Sequence, residues 1–131
     1  MLKGQHLEEI PMNVVKRDGV PVFQGGPGEV VRELAGLART NAQHLSLAEV
    51  IIAPGGRARE HYHHQMEEVY YLLRGQAQLT VDNETSTVGP GDTIVIAPGA
   101  RHKIVNGGDT DVVMVVACAP AWHEYDNVFL E

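Results

Sequence analysis

Polar and apolar residues alternate along Gln76–Ala77–Gln78–Leu79–Thr80–Val81–Asp82 over the whole stretch, the period of a strand with one face buried. Val69–Leu73 is a short apolar run rich in β-branched and aromatic residues, too short for an uncapped helix, and predicts a buried strand opened by Glu68. Ser46–Ile52, Arg57–His63, Thr85–Val88, Thr93–Ala97, His102–Val105 and Asp111–Ala119 give further strand-like runs. Between them stand Pro54–Gly55–Gly56, Arg74–Gly75, Asp82–Asn83–Glu84, Gly89–Pro90–Gly91–Asp92, Pro98–Gly99 and Asn106–Gly107–Gly108–Asp109. These residues favour tight turns, so the chain reverses at each. Upstream, Glu29–Leu34 predicts a strand. Val30–Arg39 also reads as a short helix by its charges and leucines, and the β character of everything downstream decides for strand. Residues 1–28 hold two apolar pieces, Val14–Val15 and Val20–Phe23, broken by Pro11, Asp18–Gly19, Pro21 and Gly25–Gly26–Pro27–Gly28. Such a segment is an extended arm with turns, suited to covering a sheet edge of its own chain or of a second copy. The tail after Pro120 carries Trp122, Tyr125 and Phe129, enough apolar surface to dock. Roughly eight or more short strands with little helix predict an all-β domain over 29–131, a small sandwich or barrel.

The length of 131 residues leaves room for one core and no second domain. Apolar residues make up 44%, enough for that core to form unaided. A net charge of −7 with no basic stripe argues against nucleic acid and anionic membranes as partners. Met1–His6 lacks the apolar stretch of a secretion signal, and no run is long enough to span a bilayer. The expected location is cytoplasmic. Cys118, the one cysteine, rules out an internal disulfide and reads as a buried structural thiol.

The chemistry lies in His61–Tyr62–His63, the acids that follow, and His102. On a strand, His61 and His63 project to the same side, one step apart, within reach of one ion. Glu68 opens the next strand, and His102 follows a strand and a Pro–Gly turn. Three imidazoles and a carboxylate form a nitrogen and oxygen donor set suited to iron, manganese, nickel, copper or zinc. Of seven histidines, His6, His44, His64 and His123 lack a partner at ligand spacing and read as surface or structural residues. His64, Arg57, Arg59 and Arg101 fit a solvated cationic rim better than an anion site. No Gly-x-Ser-x-Gly elbow or phosphate-binding glycine loop is present, and Cys118 has no evident histidine partner.

Gly55 followed by His61-x-His63, Glu68 and Gly75 resembles the first motif of the cupins. Gly91 through Pro98–Gly99, His102 and Asn106 resembles the second. The likeness spans residues 45–119 and leaves out the arm and the tail. The short Gln76–Pro90 connection is similar to that of compact, single-domain bacterial members. The resemblance implies an antiparallel jelly-roll β-barrel, one divalent transition metal ion per chain held by His61, His63, Glu68 and His102, and a homodimer. Proline stands directly before Gly99 where the family pattern leaves a residue between, which alters the turn alone. Both Glu67 and Glu68 fall within the family's spacing. Glu68 keeps the distance to Gly75 and shares a face with Tyr70 and Leu72, so it is the chosen ligand. Tyr70, Leu72 and Ile104, with Met114 or Val116, are expected on the inner wall, the tyrosines as core fillers. Asn106 is expected to fix a turn. Four protein ligands leave positions open on an octahedral ion for water, dioxygen or substrate. The implied function is metal-dependent dioxygenase or isomerase chemistry on a small oxygenated metabolite. The alternative is a barrel that binds metal and a small ligand without turnover.

Overall fold

The structure is a computed structural model that describes residues 8–131; the reading of His6 lies outside the described residues. Eleven strands follow one another: β1 Phe23–Gln24, β2 Glu29–Ala35, β3 Ser46–Ile52, β4 Arg57–His63, β5 Glu67–Arg74, β6 Ala77–Val81, β7 Glu84–Val88, β8 Thr93–Ile96, β9 His102–Val105, β10 Val112–Ala119 and β11 Asn127–Phe129. All pairings are antiparallel. They form a six-stranded sheet in the order β1-β2-β3-β10-β5-β8 and a five-stranded sheet in the order β11-β4-β9-β6-β7. Consecutive strands often sit in different sheets, as in a jelly roll. The core between the sheets contains Ile52, Leu72, Ile104 and Val112, each 0% exposed.

The segment that also reads as a helix, Val30–Arg39, is strand β2 followed by a turn. Its register explains why: Val31 stands opposite Val50 of β3, on the inward face, where extended backbone places a side chain that a helix would rotate away. The arm covers the edge of its own chain's sheet, with Phe23 and Gln24 opposite Val31 and Val30. The tail becomes an edge strand, pairing Asn127, Val128 and Phe129 with His63, Tyr62 and His61. Its anchor is the buried Asp126. The carboxylate accepts backbone N–H bonds from Gln65 and Met66, both at 3.0 Å, tying the tail to the β4–β5 turn.

Two turns fix the relation between the sheets. Asn106, fully buried, donates to the Ile52 and Thr110 carbonyls and accepts from the Gly108 N–H, the turn-fixing role its sequence setting suggests. Gly75 has φ +75°, and a Cβ there would meet the Asp111 carbonyl oxygen at 2.4 Å, so only glycine fits between β5 and the start of β10.

Candidate metal centre

Three strands deliver four side chains to one spot. On β4, His61 and His63 share a face as alternation requires, with ring centroids 4.9 Å apart. Ala58, also buried, lies at an odd separation from His63, which simple alternation forbids. The β4–β9 register shifts between Ala58 and His61, and this irregularity turns the histidine pair inward. His61 then stands opposite His102 of β9, with ring centroids 4.3 Å apart. From the other sheet, β5 alternates Glu68, Tyr70 and Leu72 inward, all buried, whereas Glu67 is exposed on the opposite face. The acid in the cluster is therefore Glu68. One potential ligand atom from each of His61, His63, Glu68 and His102 lies within 4.8 Å of all the others.

The hydrogen bonds set the ring tautomers. His61 Nδ1 lies 2.6 Å from the Arg59 carbonyl oxygen and His102 Nδ1 lies 2.9 Å from that of Ala100. A carbonyl only accepts, so each Nδ1 carries the proton and each Nε2 keeps a lone pair when the ring is neutral. His102 Nε2 is 3.0 Å from Glu68 Oε1. Two acceptors at that distance need a proton or a cation between them. His63 is 3% exposed and neither ring nitrogen has a hydrogen-bond partner, though Nε2 lies 3.6 Å from Glu68 Oε2. A buried imidazole without partners is costly unless something else takes its lone pair. An ion with metal–nitrogen distances of about 2.0–2.1 Å fits inside a donor set of this span.

Protonation suits the same purpose. Burial, reinforced by His102, lowers His61 to about 4, so the ring is neutral near pH 7. Burial alone would raise the Glu68 carboxyl, but the hydrogen bond with His102 and the nearby His63 imidazole outweigh it and hold the group well below the usual carboxylate range. Neutral imidazole and ionised carboxylate are the ligating forms. Cys118 donates its S–H to Glu68 Oε2 at 3.3 Å, and burial pushes the thiol well above its ordinary value, so it stays a donor. The sequence gives this thiol no role because its partner lies on another strand. Tyr70, 6.2 Å from the His102 ring centroid, is likewise pushed up by burial and by the nearby Glu68 charge.

His61, His63 and Glu68 line a cavity of about 440 Å³, and His102 is buried behind them. Tyr70, Met114 and Val116 line it as expected, but Leu72 and Ile104 lie in the sealed core and do not. Phe23 from the arm, Glu29 and Glu33 from β2, and Trp122 and Phe129 from the tail complete the wall. Of the expected rim, Arg59 alone lines the cavity. Arg57 pairs with Glu131 at 3.2 Å, Arg101 lies 3.6 Å from Asp82, and His64 is exposed against Tyr62.

Residues 48–118 match the family model of the Cupin domain, more than half of the chain. The chain is a cupin. This cupin is 34% identical over 124 residues to the uncharacterized protein MJ1618 of Methanocaldococcus jannaschii, covering 93% of this chain and 99% of that one. It is 32% identical over 93 residues to the oxalate-binding protein of Thermotoga maritima, covering 69% and 75% of the two chains. Among solved structures it resembles Streptomyces Pac13 with uridine, with a TM-score of 0.78 and 18% identity over 93% of each chain. Pac13 is described as a nucleoside dehydratase. At that identity the likeness establishes the shared fold. No helix among the described residues is long and apolar enough to cross a membrane.

Proposed function

We propose that this cupin is a metal-dependent enzyme acting on a small oxygenated metabolite, with one divalent iron, manganese, zinc or nickel ion held by His61, His63, Glu68 and His102. The observation that carries this reading is the buried His63 ring, unpartnered at both nitrogens and facing three other donors at the wall of a cavity. When bound, the ion supplies Lewis acidity toward a carbonyl or enediol, as in an isomerase, or activation of dioxygen, as in a dioxygenase. The chain's own residues do the rest. Carbonyls of Arg59 and Ala100 hold two rings by their Nδ1 protons, and the Cys118 thiol orients Glu68. Met114, Val116 and the arm and tail aromatics limit water at the open side. Pac13, described as a nucleoside dehydratase, has the same fold, so turnover is compatible with this barrel.

Binding without turnover is the second reading, favoured by the Thermotoga maritima relative, which is named for binding oxalate. The proposed setting is the cytoplasm, and the proposed assembly is a homodimer. Its support is the outer face of the six-stranded sheet, where Tyr71, Leu73 and Val95 are exposed beside Val113 and Val115. The test is metal analysis by plasma mass spectrometry on untagged protein purified without chelator, beside His61→Ala, His63→Ala and His102→Ala. Near-stoichiometric metal in the wild type, lost in each folded variant, is expected. A His63→Ala protein with full metal content overturns the assignment.

A further inference from the structure

The cavity wall supplied by β2 carries chemistry that the metal centre does not use. Glu29, Val31 and Glu33 stand opposite Ile52, Val50 and Ala48 of β3, and this register turns both carboxylates inward, where they line the cavity. Glu29 accepts the Gly26 N–H at 2.8 Å, and neither acid forms an ion pair among the described residues. Burial raises both carboxyls, and for Glu29 it does so despite the Gly26 N–H bond, which leaves acceptor capacity on both acids. On the neighbouring strand β1, Phe23 stands opposite Val31, between the two acids in register, and stacks on Trp122 with ring centroids 6.4 Å apart. Acceptors and an aromatic surface on one lining fit a ring with hydroxyls on its edge and an apolar face. Arg59 is one cation against Glu29, Glu33 and Glu124 on the same lining, beyond Glu68, which the ion engages. That balance opposes a second anion in the cavity. His63, 3% exposed and unpartnered, lines this same cavity, so a ring held by the acids lies beside the proposed ion.

We infer that the cavity selects an uncharged hydroxylated ring, a free sugar or the sugar of a nucleoside, over carboxylate and phosphate analogues, with Glu29 and Glu33 accepting its hydroxyls. This rests on the reading of the cavity as the substrate site beside a bound ion. The test uses the full chain with and without zinc, with zinc content measured on every sample. Glucose is compared with glucuronate, and uridine with uridine monophosphate, by saturation-transfer NMR and calorimetry, with oxalate as the small dianion. Each uncharged member is expected to bind about tenfold more tightly than its charged counterpart, a difference of about 1.4 kcal/mol. Binding by glucose or by uridine alone identifies the source of the ring. Glu29→Gln and Glu33→Gln keep the size of the side chain and an acceptor for Gly26, so the barrel stays folded. In both, the neutral-over-charged ratio should fall at least about threefold with zinc content unchanged. Tighter binding of glucuronate, uridine monophosphate or oxalate in the wild type overturns the inference. So does a ratio unmoved in both variants, or no ring binding at millimolar concentration. Failure of the wild type to take up zinc breaks the metal reading instead, and the ratios measured without zinc still decide the selectivity.

Discussion

The two ends of the barrel interior are built from the same strands and do opposite things. On β9, His102 and Ile104 are both fully buried neighbours on the inward face, one at the metal end and one at the sealed end. On β5, Glu68 and Leu72 divide in the same way. The sealed end holds Ile52, Leu72, Ile104 and Val112, each at 0% exposure. Each buried aliphatic side chain there contributes about 1.5–3 kcal/mol. The end proposed to bind metal holds an unpartnered imidazole and an acceptor pair, arrangements that cost stability without a cation or proton between them. The sealed end therefore carries the stability, and the metal end depends on it.

The largest effect should come from breaking the sealed end. Leu72→Ala removes a fully buried side chain from a packed wall and is expected to cost about 2–5 kcal/mol, read by chemical denaturation. The loss should be the same with and without metal. His63→Ala should act in the opposite sense. It removes an unsatisfied buried ring, so the metal-free barrel is expected to be no less stable than wild type. What the variant loses is the gain on adding metal, about 4 kcal/mol for the wild type at a thousandfold excess over Kd. Thermal melts of both proteins with and without zinc separate the two ends. A His63→Ala protein that melts well below metal-free wild type would assign the ring a structural role.

Between these lies the anchor of the tail. Asp126→Ala leaves the Gln65 and Met66 N–H groups without their acceptor and should cost about 1–3 kcal/mol. Burial would raise the Asp126 carboxyl, but those N–H bonds outweigh it and lower it below its ordinary value. A depressed carboxyl gives stability that is fully present above the unfolded value of about 3.9 and lost as pH falls through the folded one. The gap between wild type and Asp126→Ala should accordingly be constant near neutrality and close in acid. A gap that widens in acid contradicts the assignment.

The grouping of His61, His63, Glu68 and His102 was legible in the sequence because these residues obey local rules. His61 and His63 share a face by alternation, and Glu68 follows the face of Tyr70. The same rule misplaced Leu72 on the cavity wall. It shares the face of Glu68 but lies about 13 Å farther along the strand, and alternation reports a face without its depth. Ile104 beyond His102 fails in the same way. The rest of the wall was hidden because β1 and β11 are too short to show a period, and the S–H bond from Cys118 to Glu68 joins strands far apart in sequence. Glu29 and Glu33 did alternate around Val31. Nothing in one dimension separates an inward acid on an edge-proximal strand from a solvated one.

The smallest effect on the monomer is expected on β8, where adjacent residues face opposite ways. Ile96 is 1% exposed and faces the interior opposite Glu68, whereas Val95 is 63% exposed on the outside of the same sheet. The five-stranded sheet shows what a solvated outside looks like: Gln78 bonds Thr87 at 2.8 Å and Thr80 bonds Thr85 at 2.9 Å, polar pairs laid across β6 and β7. Around Val95 the outer positions are Val69, Tyr71 and Val115, apolar where β6 and β7 are polar. A strand flanked by apolar residues on both faces is built to be covered on both. Val95→Lys should therefore change the stability of an isolated barrel by less than about 0.5 kcal/mol, and if the proposed homodimer uses this face, light scattering should show the wild type as a dimer and the variant as a monomer. An unchanged dimer would place the interface elsewhere, with the arm edge at Phe23 and Gln24 the next surface to test, by sizing a chain shortened by residues 1–28.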